Sequence, residues 1–140
     1  MRFIRFVKKR LWKGLILIIA LVLAPGVYAE TLVPDYKVSK IMFSNIPAVG
    51  TQVEVYAEVE NIGETDLLQR EFYVSFDYKK FSQDWLYHIG DVLVESIPSG
   101  EKRTISVKWT PPSYGEYTII VKADWGESIN ETNEENNEMS

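Results

Sequence analysis

The chain has 140 residues, no cysteine and one histidine, with 15 basic against 20 acidic side chains and a net charge of −5. That length makes one ordinary domain. Six of the basic residues and none of the acidic ones fall in the first 29 positions, so the remainder carries 9 against 20, net −11; such a surface repels phosphate and argues against nucleic-acid binding, and without disulfides the fold must stand on its core.

The chain opens MRFIRFVKKRLWKGLILIIALVLAPGVYAE. Arg2, Arg5, Lys8, Lys9, Arg10 and Lys13 make a basic region, residues 15–23 are an unbroken apolar run, Pro25 and Gly26 break it, and Val27-Tyr28-Ala29 offers small residues where a signal peptidase reads. This is the layout of a secretory signal, with cleavage expected after Ala29. Residues 1–29 are therefore read as leader and 30–140 as the working domain, secreted or extracytoplasmic. A retained anchor over 11–28 is the alternative, and would be the domain's route to a membrane; the apolar run falls short of the roughly 20 residues of a comfortable span. A pilin-type cut between Gly14 and Leu15 is a third reading, opposed by Pro25, which such a helix would not tolerate.

Beyond the leader the periods are those of strands. Residues 37–43 form a weak first one. VEVYAEVEN (53–61) alternates strictly, with Val53, Val55, Ala57 and Val59 on one side and Glu54, Tyr56, Glu58 and Glu60 on the other. Phe72, Val74, Phe76 and Tyr78 repeat the pattern in 72–78. Residues 86–94 form a weaker strand. Ile105, Val107 and Trp109 alternate in 104–109, and Tyr117, Ile119, Val121 and Ala123 in 117–123. Asn45-Ile46-Pro47, Asn61-Ile62-Gly63, Ile97-Pro98-Ser99-Gly100 and Pro111-Pro112-Ser113-Tyr114-Gly115 punctuate the strands with turn residues. No helical period and no internal repeat is present. The expectation is all-β: an antiparallel immunoglobulin-like sandwich of about seven strands, each with one apolar face.

Several short motifs occur in a specific order: PDYKVSKI, VENIGETD, IPSGEKRTISVKWTPP, GEYTIIVKAD and SINETNEENN. In that order and spacing the chain resembles the CARDB family, the cell-adhesion-related domain of bacteria and archaea, over nearly all of residues 34–137. The resemblance implies a seven-stranded immunoglobulin or fibronectin type III-like sandwich on exported proteins, serving adhesion, spacing or presentation, with no catalytic residues and no cofactor. The family pattern is matched in the last segment by Ile129, Glu131, Asn133, Glu134, Asn136 and Asn137. That segment is therefore read as the loop before a seventh strand, with Ile129 as a plug and its Asn and Glu side chains bonding free backbone. The family continues with a strand after the Asn pair. Here only Glu138, Met139 and Ser140 follow, so the last strand is expected short or missing, leaving the edge of 117–123 as a template for self-association or for a partner strand.

Asn61 and Gly63 are read as residues for left-handed or turn conformations, with Asp66 capping the same turn. Trp109 is expected in the core and Tyr117 at a tyrosine corner. Asp124, Glu127, Glu131, Asn133, Glu134 and Glu135 supply oxygens of the kind calcium takes, but their spacing is not that of an EF-hand, and a solvated acidic loop is the reading preferred. Asn130-Glu131-Thr132 is a chance-level glycosylation sequon. His88, alone in a strand, has no Ser, Asp or metal-ligand partner at a telling spacing. Trp85, Tyr87, Tyr114 and Trp125 lie in or beside loops and are the candidate contact residues, since exposed aromatics stack on sugars or anchor proteins.

These features lead to a non-catalytic adhesion or interaction module at the cell surface, its partner a protein or polysaccharide. A carbohydrate-binding accessory module of an exported hydrolase is one rival, and a structural subunit assembling through its sheet edge is another.

Overall fold

The structure, a computed structural model, describes residues 32–65 and 69–140. The leader and Asp66 lie outside the described residues. Seven strands follow in chain order: β1 Tyr36–Phe43, β2 Val53–Asn61, β3 Phe72–Lys80, β4 Leu86–Val94, β5 Lys102–Trp109, β6 Tyr117–Ala123 and β7 Glu138–Met139. The one helical element among them is a 3-10 turn at Glu134–Asn136. Every pairing is antiparallel, in two sheets of order β1-β2-β5 and β4-β3-β6-β7.

Period-2 patterning puts one side of each strand into the space between the sheets. Val53, Val55, Ala57 and Val59 of β2 face Phe72, Val74 and Phe76 of β3 and Val121 and Ala123 of β6, all buried. Ile97 and Ile129 close the core from the connections. Tyr36 and Phe72 stack across the layers, ring centroids 4.2 Å apart.

Two irregularities move side chains between faces. β1 shifts register between Val38 and Lys40, which turns Ser39 to donate to the Glu58 carboxylate at 2.9 Å. β4 carries one extra residue, Ile89, opposite the Phe76–Asp77 step of β3. A bulge reverses the sides of the strand beyond it. Tyr87 on one side of the bulge and Val92 and Val94 on the other therefore all face inward, although their numbers differ in parity. That is why β4 reads weakly as a strand.

β7 is two residues long and pairs only with Val121 and Lys122. The seventh strand is present but short.

The strands run between two ends. At one, residues 62–65, 69–71, 95–101 and 124–137 meet the start of β1. At the other, connections 44–52, 81–85 and 110–116 meet.

Candidate functional site

The first end is a polar clasp. Asn61, fully buried at the end of β2, spends its whole amide there. Its Oδ1 accepts from Asp35 N and Gly63 N, each at 3.1 Å, and its Nδ2 donates to Glu64 O at 2.9 Å and Ile97 O at 2.8 Å. Asn61 is extended strand rather than left-handed, and Gly63 has no positive φ. Of the left-handed or turn conformations expected for them, Gly63 takes the turn, and the expectation for Asn61 is corrected. Glycine is needed at 63 because a Cβ would stand 2.7–2.9 Å from the Pro34–Asp35 segment. Among the described non-glycine residues positive φ falls instead on Gln69, Asp124 and Glu127.

The loop after β6 packs on the same segment. Asp124 organises its first half, Oδ1 accepting from Ser128 N and Oγ at 3.1 and 2.6 Å, and Oδ2 from Ile129 N at 2.8 Å. Ile129, thus tethered, is buried. Asn133 caps the 3-10 turn by accepting from Glu135 N at 3.0 Å. Asn136 donates to Asp35 Oδ1 at 2.7 Å, and Asn137 to Glu131 Oε1 at 3.0 Å. Glu131, itself buried, accepts from Tyr36 N through Oε2. Burial pushes its carboxyl up to about 8; the Tyr36 N–H and the Asn137 amide pull it down, while the Glu134 and Asp124 carboxylates add to the rise. Trp125 lies half-exposed at this end, apart from the other three candidate aromatics. Glu127 is exposed. No group of three or more His, Cys, Asp or Glu among the described residues is placed to hold a metal ion.

The opposite end is aromatic. Tyr78, Trp109 and Tyr117 meet edge to face, their centroids 5.5–5.7 Å apart, and Tyr87 stacks on Tyr78 at 5.0 Å. Burial, with Tyr87 and Tyr117 beside it, raises the Tyr78 phenol above its ordinary value. Tyr117 donates to Ser113 O at 2.7 Å, closing a tyrosine corner over the β5–β6 connection. Lys80 binds Ser113 Oγ at 2.8 Å and lies 5.8 Å from the Tyr117 ring centroid. Trp109 is buried.

Two openings flank this cluster. A cleft of about 510 Å³ runs between the end of β1 and the start of β6, lined by Phe43, Val49, Trp109, Pro111, Tyr114 and Ile119 among others. A smaller one of about 240 Å³ is lined by Tyr78, Gln83, Tyr87 and Pro112. Trp85, Tyr87 and Tyr114 gather here and are exposed. With them are Phe43, Ile46, Phe81 and Leu86, also exposed, which the sequence reading did not single out. Their signal was apolar residues inside turn segments, Ile46 before Pro47 and Phe81 after two lysines.

His88 stands on the outer face of β4. Its Nδ1 is 2.9 Å from Asp77 Oδ1 and its Nε2 3.5 Å from Asp91 Oδ2. With both ring nitrogens facing carboxylates, neither is placed to take a proton from a nucleophile. No helix among the described residues is long and apolar enough to cross a membrane.

A family model described as CARDB matches residues 33–140. The crystal structure of a CARDB domain from Pyrococcus furiosus in complex with di-metal ions superposes with a TM-score of 0.59 at 25% identity, covering 76% of this chain and 83% of that one. No curated protein sequence matches.

Proposed function

The chain belongs to the CARDB family, a non-enzymatic, adhesion-related module, and from that premise we propose that it is an exported interaction module which holds a partner at the cell surface through its aromatic end. One observation carries this reading: Phe43, Tyr87 and Tyr114 line two openings at one end, and Ile46, Phe81 and Trp85 stand exposed on the connections of that same end. Exposed apolar clusters of this kind mark contact surfaces. The polar end, by contrast, spends its side chains on its own backbone. The basic and apolar layout of residues 1–29 supports export. The test is a pull-down from envelope extract with tagged protein and with the double variant Trp85→Ala, Tyr114→Ala. A partner retained by the first and lost by the second is the expected result; equal retention by both would move the contact elsewhere.

A glycan partner is the second reading, favoured by the smaller opening. There the stacked rings of Tyr78 and Tyr87 stand beside Gln83, apolar platform next to polar group. Titration calorimetry against envelope polysaccharide fragments separates it from a protein partner.

The metal ions of the Pyrococcus furiosus domain invite the same question of this chain. The acidic loop does not fit a cation. Both oxygens of Asp124 are taken by Ser128 and Ile129, and both of Glu131 by Tyr36 and Asn137.

A further inference from the structure

The most exposed side chains of the aromatic end are spikes, not the walls of a groove. Ile46, Phe81 and Tyr114 are 92%, 81% and 88% exposed, one on each of three different connections, and Trp85 is 73% exposed beside Phe81. Ile46, Phe81 and Trp85 line neither opening. A protein partner gains most from anchors seated in pockets; four exposed tips carried on the three connections of one end suit a soft apolar phase better.

Charge points the same way. Connection 44–52 carries no charged residue, and 81–85 and 110–116 carry only Asp84 and Glu116. Lys79, Lys80 and Lys108 stand on the strand ends next to them. At the far end, connection 124–137 alone holds Asp124, Glu127, Glu131, Glu134 and Glu135 and no basic residue. The sandwich is thus close to neutral at its apolar end, where a lysine shoulder is offset by Glu54 opposite Lys108, by Asp84 3.7 Å from Lys79 and by Glu116, and strongly acidic at the other.

We propose that the aromatic end docks on the surface of a lipid bilayer, Ile46, Phe81 and Tyr114 entering the boundary between headgroups and acyl chains. Trp85 and Tyr87 then sit at headgroup depth, where amphipathic rings are favoured. The lysine shoulder faces anionic headgroups, and the acidic end is repelled from them, so the field of the whole domain selects this orientation. The inference rests on the reading of this end as the contact surface and names the partner as lipid.

The chain has no cysteine, so a dye can be placed at one position at a time. Ile46→Cys, Phe81→Cys and Tyr114→Cys report the tips; Ile62→Cys and Glu127→Cys report the opposite end. Each full-length variant carries an environment-sensitive dye and is titrated with phosphatidylcholine vesicles containing phosphatidylglycerol. The expected result is a blue shift, and quenching by brominated acyl chains, at 46, 81 and 114 but not at 62 and 127. Residues 32–140 contain both sheets and the whole core, and in that fragment Ile46→Ser with Phe81→Ser should weaken vesicle binding about tenfold or more, the loss of two apolar insertions. Equal shifts at all five positions, or none at the tips, would overturn the proposal. Silent tips together with an envelope protein lost on Trp85→Ala, Tyr114→Ala would remove the lipid and leave the contact surface standing; silent tips with no such loss would remove both.

Discussion

Glu131 shows how one side chain couples the clasp to pH. Its folded carboxyl titrates near 8, raised first by burial, from an ordinary value of 4.5. A carboxyl raised in the folded state keeps its proton after the unfolded chain has lost it, so its contribution is full below the unfolded value and disappears as pH climbs through the folded one. Stability measured by urea titration should therefore fall between about pH 5 and 8. Glu131→Gln should flatten that slope. The amide still offers an oxygen to Tyr36 N, and the Asn137 amide, whose Oδ1 is buried without a partner, can turn over to accept from the new N–H. A slope unchanged by the substitution would assign the pH dependence to other groups. Trp109 is the corresponding residue at the aromatic end, buried against Tyr78 and Tyr117. Trp109→Ala should cost about 3–5 kcal/mol, as large aromatic deletions from cores do. A loss under about 1 kcal/mol would show that the rings close over the gap.

Among the elements, β6 divides into a covered and an uncovered part. Ala123 N donates to Asn137 O, so alternate residues of β6 turn their backbone groups toward β7 while the others bond β3. β7 reaches only Val121 and Lys122, and the backbone of Ile119 and Tyr117 has no strand beyond it among the described residues. In amide exchange, Thr118 and Ile120 should be protected well beyond Tyr117 and Ile119. Uniform protection would mean that a second copy or another segment covers the edge. The strict alternation of VEVYAEVEN and YTIIVKA made β2 and β6 legible in the sequence, since a strand with one wet face has no other way to be written. β4 was barely legible, because the bulge at Ile89 breaks its parity. The two ends were less legible still. Nothing local says that Asn61 and Ile97, or Tyr78 and Trp109, will meet; that depends on how the strands come together. Glu131 reads as one of the loop side chains that bond free backbone, and it does so to Tyr36 N; Asp124 reads only as a metal ligand or solvated acid, because spacing shows which oxygens are near in the chain, not which backbone donors already occupy them.

At the scale of the molecule, the strand axis separates an acidic end from an apolar one. The clasp carries Asp35, Asp124 and Glu134, which Glu131 joins as a charge only above about pH 8, and among the described residues no ion pair neutralises them. Their mutual repulsion is screened by salt. The melting temperature should rise by a few degrees as sodium chloride goes from near zero to physiological strength. Calcium chloride at equal ionic strength should do no more, and a further rise specific to calcium would show that the loop accepts the ion. The same clasp also sets the order of events in folding. Asn61 bonds to residues 26 and 36 positions away, and such distant partners come together only when β1 and β5 have both paired with β2. The clasp then acts as a latch fastened after the barrier has been crossed. Asn61→Ala, which strips four bonds from a buried site, should cost about 3 kcal/mol. Nearly all of that should appear as unfolding roughly a hundredfold faster, with the refolding rate scarcely changed. The lifetime of the folded domain would then be set by a single amide, and not by the hydrophobic core that makes it fold.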